Sequence, residues 1–345
     1  MSERKEHAGE AVTLALYDRL RLTLLEDLGP GDAGDVTSRA LVPAESRVRA
    51  VLQAKADGVL CGIHLLPLIF EMADEWLSPD AQTRKTQLHE AGEALKAGRS
   101  DAGKVAELAA RSEASGFRVK SLCKDGARVA RGMAVAELEG SSRAMLLGER
   151  TALNLVCHLS GVATQTARYV AQCAGTKARI VDTRKTTPLW RDLEKYAVTC
   201  GGGLNHRRGL YDMVLIKDNH LALWGARDPA QAVAVAQARY PHLPVEIEVT
   251  DLPTLARVCK HSAPAYVLLD NFSPERIREA VAWCDDFYRS RENRPLLEAS
   301  GGITLETVSA YAHAGVDRIS VGALTHSAPV LDFSLELENS PQAPS

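Results

Sequence analysis

The sequence lacks the features that mark several classes of protein. Its longest stretch without Asp, Glu, Lys or Arg covers residues 151–167, and Asn154, His158 and other polar residues interrupt it, so it does not resemble a bilayer-spanning helix. Its 7 cysteines are scattered, odd in number and form no Cys-x-x-Cys pair, which argues against a disulfide framework and a structural zinc site. A net charge of −3 provides no overall basic surface, so nucleic acid is not expected as a partner.

The composition is that of an ordinary globular protein, with 46% apolar and 25% charged residues among 345. This length suits one large domain or two of ordinary size. The first residues, Met-Ser-Glu-Arg-Lys-Glu-His, are charged and lead into no apolar run of the kind that a secretory signal needs. We therefore expect the mature protein to start near Met1 and to be cytoplasmic, with no membrane partner.

The first third of the chain has the pattern of an α+β sheet domain. Helical spacing of apolar residues predicts an amphipathic helix from Val12 to Glu26, which ends in the turn sequence Gly29-Pro30-Gly31-Asp32. Residues Asp35 to Ser38 are interpreted as a loop. Residues 79–116 are poor in large apolar side chains and predict a solvated insertion. Strands are predicted at Arg47–Ala54, Phe117–Cys123 and Met133–Leu138.

After a long predicted helix from Ala144 to Cys173, short apolar runs alternate with helical patterns. The runs are Ala178–Val181, Met213–Ile216, Val245–Val249, Tyr266–Leu269, Leu296–Glu298 and Arg318–Val321. The helical patterns are Asp228–Tyr240, Asp251–Cys259, Ser273–Tyr288 and Leu305–Ala314, several of them opened by Ser, Asp or Thr. This alternation predicts a parallel sheet with covering helices, and strands so short and numerous favour a closed or nearly closed barrel. A doubly wound open sheet is the alternative.

Polar residues recur at the ends of these predicted strands, where the active site of a parallel α/β barrel lies. Three of them, Arg184, Lys185 and Lys217, are cations, and the segment His206-Arg207-Arg208 adds two more. Such a cluster repels itself unless an anion fills it, which indicates a substrate with several negative charges. The alternative is that these cations form strand-end salt bridges. The carboxylates for that alternative would be Glu194, Asp212 and Asp218.

Glycines and carboxylates complete the predicted site. The segments Ser300-Gly301-Gly302 and Val321-Gly322 follow the last two strands, the usual phosphate-binding position of such barrels. Glu248 and Asp270 could hold Mg²⁺ against a polyphosphate, or could pair with Lys185 or Lys217 instead. Glu246 would support Glu248 from one layer deeper. Three further residues have weaker functional signals: His220, a loop histidine, and His158 and Cys200, which are interpreted as structural.

These residues carry a resemblance to the quinolinate phosphoribosyltransferase family, within the type II phosphoribosyltransferases. The most specific block runs from Asp182-Thr183-Arg184-Lys185-Thr186-Thr187-Pro188 to Leu215-Ile216-Lys217-Asp218-Asn219-His220. Other matching segments are Glu26-Asp27-Leu28-Gly29, Gly148-Glu149-Arg150-Thr151-Ala152-Leu153-Asn154, Leu269-Asp270-Asn271, Glu298-Ala299-Ser300-Gly301-Gly302 and Ser320-Val321-Gly322-Ala323-Leu324-Thr325-His326. Except for the insertion and both tails, the resemblance covers most of the chain.

The resemblance implies an α/β protein with an N-terminal α+β sandwich domain and an incomplete parallel α/β barrel. The implied limits are 1–144 for the sandwich domain, including the insertion at 79–116, then 145–325 for the barrel. A final segment, 326–345, would return to the first domain. Family members act as dimers or larger assemblies with shared active sites, so a homodimer or higher homo-oligomer is expected.

The resemblance also implies the substrates, quinolinate and phosphoribosyl pyrophosphate, with Mg²⁺ as the cofactor and decarboxylation during the transfer. The quinolinate carboxylates would be held by Arg184, His206, Arg207 and Lys217, together with Arg150 from a neighbouring subunit. Lys185, Glu248 and Asp270 would serve phosphoribosyl pyrophosphate and Mg²⁺, and Lys185, Lys217, Glu248 and Asp270 would be catalytic. The remaining substrate-binding residues would be Thr183, Thr186, Ser300, Gly301, Gly302, Val321 and Gly322.

One residue departs from the family pattern, because Leu189 stands where members usually have glycine. Three other functions remain open at this point. A paralogous (ModD-like) phosphoribosyltransferase would use another aromatic acid, and a non-catalytic sensor would bind a ligand without turnover. An aldolase-like enzyme would use Lys217 as a Schiff-base nucleophile.

Overall fold

A computed structural model of the chain describes residues 3–29, 34–77, 116–225, 228–290 and 292–338. All of the predicted insertion at 79–116 except Gly116 lies outside the described residues. Residues 1–158 with 331–345 form one compact unit, and residues 159–330 form a second. The domain limits predicted after residues 144 and 325 stay a prediction. Within the described part of the chain, no helix is both long enough and apolar enough to cross a membrane.

The secondary structure of the described residues follows the predicted pattern closely. The helices are α1 (Glu3–Leu28), α2 (Val36–Leu41), α3 (Leu66–Leu77), α4 (Ser142–Gln172), α5 (Arg191–Cys200), α6 (Asp218–Leu223), α7 (Pro229–Arg239), α8 (Leu252–His261), α9 (Pro274–Phe287), α10 (Val308–His313) and α11 (Ala323–His326), with a 3₁₀ turn at Ile63–Leu65. The strands are β1 (Arg47–Ala54), β2 (Gly58–Val59), β3 (Arg118–Ser121), β4 (Arg128–Val129), β5 (Ala134–Ser141), β6 (Arg179–Val181), β7 (Val214–Ile216), β8 (Val245–Val249), β9 (Tyr266–Asp270), β10 (Leu296–Ser300), β11 (Arg318–Ser320) and β12 (Phe333–Leu337).

The first unit contains an antiparallel sheet with the strand order β12-β1-β5-β3. Alternation along β1 sends Ala50, Leu52 and Ala54 into the core, where they are almost completely buried. The last strand, β12, pairs antiparallel with β1, so the end of the described chain belongs to this sheet. The α+β character predicted for this part of the chain is confirmed.

One local prediction in this unit is wrong. The residues from Asp35 to Ser38 do not form a loop, because α2 begins at Val36. Asp35 is the N-cap of this helix, and its Oδ1 accepts a hydrogen bond from the Ser38 backbone N–H at 2.9 Å. An Asp three residues before a Ser is typical of a helix start and also of a turn. Because α2 is short, its apolar pattern does not distinguish the helix from the turn.

The second unit contains a parallel sheet with the strand order β6-β11-β10-β9-β8-β7. Strands β7 to β11 follow one another in chain order and β6 joins beyond β11, which is the cyclic order of a barrel left open between β6 and β7. A doubly wound sheet would instead reverse its order near the middle. Beside β6, Leu204 forms a parallel bridge with Val181 on the open side. The incomplete parallel α/β barrel is therefore confirmed.

Local sequence signals explain where the covering helices begin. Asp228, Asp251 and Ser273 are the N-caps of α7, α8 and α9, and each side chain accepts a hydrogen bond from a backbone N–H of the first turn. Each of these helices also has proline in its first turn, where its missing N–H costs nothing. The helix starts predicted from these residues are confirmed.

Gly201 packs closely against α4 and thereby positions the segment that carries several predicted site residues. A side chain on Gly201 would collide with the Ala163 carbonyl and with Thr166, both on α4. The chain can therefore pass against α4 here only because the residue has no Cβ. Asn205, His206 and Arg207 lie a few residues further along the chain.

Candidate active site

The parallel strands bring the predicted site residues of the second unit to one edge of the sheet. Since parallel strands end at the same edge, residues at their carboxyl ends lie close together in space. Asp182 directly follows β6, Lys217 follows β7, Glu248 is near the end of β8, Asp270 and Ser300 end β9 and β10, and two residues after β11 comes Gly322.

A completely buried ion pair anchors this edge. The Lys195 ammonium on α5 contacts Asp182 Oδ1, and both side chains are inaccessible to solvent. Lys195 Nζ also donates to the His206 carbonyl at 3.0 Å, and the His206 backbone N–H donates to Asp182 Oδ1 at 2.8 Å. Burial raises the pKa of Asp182 and lowers the pKa of Lys195, in each case against the pull of the opposite charge. The pair therefore fixes the backbone of His206, the residue before Arg207.

His206 is buried with both ring nitrogens facing protein groups. Its Nε2 lies 2.9 Å from Glu246 Oε2 and 3.5 Å from Glu298 Oε1. Its Nδ1 accepts a hydrogen bond from the Arg207 backbone N–H at 2.7 Å. Because Nδ1 accepts, the ring proton is assigned to Nε2, on the side of the two carboxylates. The contact at Nδ1 thus holds the backbone N–H of Arg207.

Glu298 has no assigned role in the sequence-based prediction, yet it is fully buried at the centre of this cluster. Arg318 Nε lies 3.1 Å from Glu298 Oε2, and the Arg318 guanidinium stacks 4.4 Å above the centre of the Tyr266 ring. Burial, and next the negative charge of Glu246, raise the pKa of Glu298 to about 7. The sequence does contain a signal for Glu298: it is a carboxylate within Leu296–Ser300, where the other residues are apolar or small.

This raised pKa predicts a pH-dependent stability. The pKa of Glu298 is about 7 in the folded protein, against 4.5 ordinarily, so the folded chain keeps a proton that the unfolded chain releases. Stability should therefore fall as the pH rises from about 4.5 to about 7, by roughly 3 kcal/mol. Glu298→Gln should remove the contribution of Glu298 to this fall and so reduce the slope, as measured by urea unfolding at each pH, while Glu71, whose pKa is also raised to about 7, keeps its own contribution.

The matched control for this variant is Glu137→Gln, which neutralises an exposed carboxylate paired with Lys120. That variant should keep the slope of the unmodified protein, because an exposed pair contributes little. The same slope in Glu298→Gln as in the unmodified protein would contradict the prediction.

The predicted cations lie around the cluster. Arg184 Nε is buried and has no hydrogen-bond acceptor among the described residues. Burial, and next the positive charge of Arg184, lower the pKa of Arg207. The two guanidinium groups therefore repel each other. The Lys185 stem passes Gly322 so closely that a Cβ there would lie 3.0 Å from its Cδ. Thr325, for which the sequence predicts no role, donates from Oγ1 to the Lys185 carbonyl at 2.8 Å.

Two threonines predicted to bind substrate make contacts within their own loop. Thr183 Oγ1 accepts a hydrogen bond from the Lys185 backbone N–H at 3.0 Å, and Thr186 Oγ1 accepts one from Arg191 Nε at 3.0 Å. These contacts hold the loop that carries Arg184 and Lys185. Their role toward substrate stays a prediction.

Two carboxylates and one lysine form the other side of the site. Glu248 Oε2 lies 3.4 Å from Lys217 Nζ. Burial raises the pKa of Glu248, Lys217 opposes this rise, and the negative charge of Asp270 adds to it. Two carboxylates whose charges act on each other, with one lysine beside Glu248, leave negative charge for a further cation, and carboxylate oxygens are the ligands that Mg²⁺ prefers. The donor set therefore fits a magnesium ion.

The two predicted phosphate-binding glycine segments differ in backbone conformation, and only the first has positive φ values. Gly301 and Gly302 have φ values of 102° and 59°, which glycine adopts without strain. Val321 is buried and donates its backbone N–H to the Val181 carbonyl at 3.0 Å, which ties β11 to β6. Gly322 lies beside the Lys185 stem, so the second glycine segment and a predicted phosphate-binding lysine meet.

The three carboxylates of the alternative salt-bridge interpretation accept hydrogen bonds from backbone groups. Asp212 accepts from the backbone N–H of Arg208 at 2.7 Å and of Gly209 at 3.0 Å. Glu194 Oε2 accepts from the Thr187 N–H at 3.1 Å, and Asp218 Oδ1 accepts from the Asn219 N–H at 2.6 Å. These contacts shape the loops, and the charge of Asp212 also acts on Arg207, whose pKa it raises against the effect of burial.

Two remaining candidates lie elsewhere or act locally. Arg150 is on the part of α4 in the first unit, where its Nη2 lies 3.3 Å from Glu149 and its side chain is largely exposed. His220 Nδ1 accepts the Lys217 backbone N–H at 3.0 Å and so shapes the start of α6. The predicted substrate contact of Arg150 stays a prediction.

Leu189 adopts a backbone conformation that suits other residues better. Its φ is 69°, and its side chain is 71% exposed, so replacing it loses little burial. Leu189→Asn should raise the free energy of unfolding by about 0.5–1 kcal/mol, because asparagine tolerates the left-handed region. Leu189→Val should lower it, since a β-branched side chain is disfavoured there. Urea unfolding measures both.

The control for this prediction is Leu223→Asn, at an even more exposed leucine that ends α6. Asparagine is a weaker helix former than leucine, so this change should not stabilise the protein. Equal effects at the two positions would contradict the explanation from backbone strain.

Comparison with known proteins places this arrangement in a family. Residues 162–336 match the family model described as "Quinolinate phosphoribosyl transferase, C-terminal domain", and residues 73–160 match the corresponding N-terminal domain. The chain belongs to the quinolinate phosphoribosyl transferase family. The resemblance inferred from the motifs and the expectation of an enzyme are thereby confirmed.

Relatives with known names resemble the chain along most of its length. The chain is 39% identical over 323 residues to nicotinate-nucleotide pyrophosphorylase [carboxylating] of Mycobacterium leprae, covering 94% of this chain and 97% of the relative. It is 30% identical to quinolinate phosphoribosyltransferase [decarboxylating] 1b of Nicotiana tabacum, covering 94% and 83%. The solved structure of the nicotinate-nucleotide pyrophosphorylase from Francisella tularensis aligns with a TM-score of 0.75 at 31% identity, covering 94% and 96%.

Proposed function

We propose that the chain transfers the phosphoribosyl group of phosphoribosyl pyrophosphate to quinolinate with loss of CO₂, giving nicotinate mononucleotide and pyrophosphate for NAD biosynthesis. The observation that supports this most directly is the cationic edge of the barrel, where Arg184 Nε is buried without an acceptor beside Arg207. A buried guanidinium nitrogen without a partner is costly unless an anion binds it. Quinolinate brings two carboxylates, and the second substrate brings a phosphate and a pyrophosphate.

The quinolinate carboxylates would bind Arg184, Arg207 and Lys217. A guanidinium can bind two carboxylate oxygens at once, which orients a planar acid, whereas lysine supplies a point charge. Since both ring nitrogens of His206 face protein groups, His206 would act here by holding Arg207 in place. Arg150 of a neighbouring subunit would complete the site, so we propose a homodimer or a higher homo-oligomer.

The other substrate would lie between the carboxylates and the glycine segments. Glu248 and Asp270 would hold Mg²⁺, which when bound would neutralise charge on the departing pyrophosphate. Lys185 would add a positive charge at the same end. The ribose phosphate would bind along Ser300, Gly301 and Gly302, with Val321 and Gly322 beside them, because glycine segments let backbone N–H groups approach phosphate oxygens.

In the reaction, the quinolinate nitrogen forms a bond to the ribose carbon as the bond from that carbon to pyrophosphate breaks. Positive charge develops on the ribose, while the cations of the site stabilise the negative charge of the leaving group. The 2-carboxylate then leaves as CO₂, its electron pair stabilised by the adjacent pyridinium nitrogen, and a proton replaces it. Burial of Asp182 and Lys195 keeps this charge arrangement rigid.

The scattered, odd-numbered cysteines suit a reducing compartment, and we infer a cytoplasmic location on that ground.

The deciding experiment measures CO₂ and pyrophosphate release from purified protein with quinolinate, phosphoribosyl pyrophosphate and Mg²⁺. Equal amounts of both products, lost in Lys217→Ala, are expected. Pyrophosphate without CO₂, or product only with another aromatic acid, would favour the paralogous transferase. Tight binding without product would favour a sensor, and borohydride labelling of Lys217 with a carbonyl substrate would favour the aldolase-like reaction.

A further inference from the structure

Strands β9 and β10 end side by side, and the residue that follows β9 links them. Asp270 and Ser300 are direct partners in the parallel ladder between these strands. Asn271 comes next, and its backbone N–H donates to the Ser300 carbonyl at 2.9 Å. The chain therefore remains joined to β10 for one residue beyond the strand.

The backbone conformation of Asn271 brings its side chain back to the preceding residue, Asp270. Its φ is 55°, in the left-handed region that asparagine tolerates better than other residues with a side chain. The side-chain Nδ2 donates to Asp270 Oδ2 at 2.8 Å. This bond occupies one carboxylate oxygen of Asp270 and fixes the direction of the other.

The amide oxygen of Asn271 meets the neighbouring glycine. A Cβ built on Gly301 would fall on Asn271 Oδ1, and it would also lie 3.1 Å from the Asn271 backbone nitrogen. The side chain of Asn271 thus fills the space that Gly301 leaves open. A displacement of either residue would be transmitted to the other, because packed groups do not deform independently.

We propose that Asn271 is a positioning residue that sets the Asp270 carboxylate and the Ser300–Gly302 segment in register with each other. This inference rests on the proposed function, in which Asp270 serves the pyrophosphate end of phosphoribosyl pyrophosphate and Ser300–Gly302 serve its ribose phosphate. Asn271 touches both sites at once through Nδ2, Oδ1 and its backbone nitrogen. It therefore sets the spacing of the two anionic ends of one substrate, and it has no such role toward quinolinate.

The informative variant is Asn271→Gly, because glycine keeps the left-handed backbone and removes only the amide. Its kcat/KM for phosphoribosyl pyrophosphate should fall by about 10- to 100-fold, with a raised KM, as expected when a binding group loses its support. The dissociation constant of quinolinate with the free enzyme and the thermal midpoint of unfolding should stay close to those of the unmodified protein. Asn271→Ala should add backbone strain and lower the midpoint as well.

The matched control is Asn293→Gly, at an asparagine with φ 65° outside the site. It measures the effect of an asparagine-to-glycine change in the left-handed region, and its kinetics should be unchanged. The inference is overturned if Asn271→Gly has the kinetics of the unmodified protein, or if quinolinate binding and the midpoint fall as much as the use of phosphoribosyl pyrophosphate.

A failure of the proposed function is a separate outcome, seen when the unmodified protein releases neither CO₂ nor pyrophosphate. Calorimetric titration with phosphoribosyl pyrophosphate and Mg²⁺ then decides the inference without turnover. Weaker binding to Asn271→Gly than to the unmodified protein would support it, and equal binding or no binding to either would overturn it.

Discussion

Asp182→Asn is expected to lower the free energy of unfolding by about 3–5 kcal/mol, because it leaves the Lys195 ammonium buried without its counter-charge. Both side chains are fully inaccessible to solvent, so water cannot replace the lost carboxylate. Asparagine preserves the size of the side chain and an oxygen that can still accept the His206 N–H. The change removes the charge and also the oxygen that accepts from the Asn205 amide at 2.6 Å, and urea unfolding followed by tryptophan fluorescence measures the sum.

The double variant Asp182→Asn with Lys195→Met provides the control. Removing both charges takes away the unpaired ammonium, so much of the lost stability should return. Glu137→Gln, which breaks the exposed pair with Lys120, should cost less than about 1 kcal/mol. If the single variant and the double variant were equally unstable, the cost would come from packing rather than from an unpaired charge.

Lys217→Ala is expected to lower kcat/KM by about 10²- to 10³-fold, the usual loss when one preorganised charge is removed from an active site. Lys217 lies at the carboxyl end of β7, 3.4 Å from Glu248, and its side chain is about half exposed toward the site. Without the ammonium, the negative charges of Glu248 and Asp270 would oppose an anionic substrate. Lys217→Arg should recover part of the activity, because it restores charge but not the compact shape.

Lys177→Ala is the matched control for Lys217→Ala. Lys177 precedes β6, at the amino ends of the parallel strands, and pairs there with Asp317 at 2.6 Å. Active sites of parallel barrels lie at the opposite edge, so this variant should keep the kinetics of the unmodified protein. Steady-state assays of CO₂ release measure all three variants. A Lys217→Ala enzyme with normal kcat/KM would remove Lys217 from the proposed mechanism.

Local patterns of the sequence were sufficient for most secondary structure. The alternation along Arg47–Ala54 and the apolar run Val245–Val249 gave strands with the predicted bounds. The caps Asp228, Asp251 and Ser273 gave helix starts at the following residues. At Asp35 the same kind of signal predicts a loop, yet a helix begins at Val36 with Asp35 as its N-cap. Caps and turns share residue types, so the apolar pattern that follows has to separate them.

Motifs located the edge of the barrel but not the partners within it. Glu194 and Asp212 were the carboxylates of the alternative salt-bridge interpretation, and in the structure they accept hydrogen bonds from backbone N–H groups. A backbone donor leaves no trace in the sequence, so such contacts cannot be predicted from residue types. Arg150 lies in the first unit, and its predicted contact with another subunit stays a prediction.

By itself, the sequence determined the alternation of strands and helices, the polar residues after each strand, and the family, because these depend on short periods and contiguous motifs. Only the tertiary structure decided that Glu298 meets His206 and Glu246, that Lys195 neutralises Asp182, and that Asn271 joins two strand ends. Such contacts join residues that are distant along the chain or depend on a single backbone angle. They follow from the cyclic strand order and the register of the parallel ladder, which bring separate strands to one edge of the barrel.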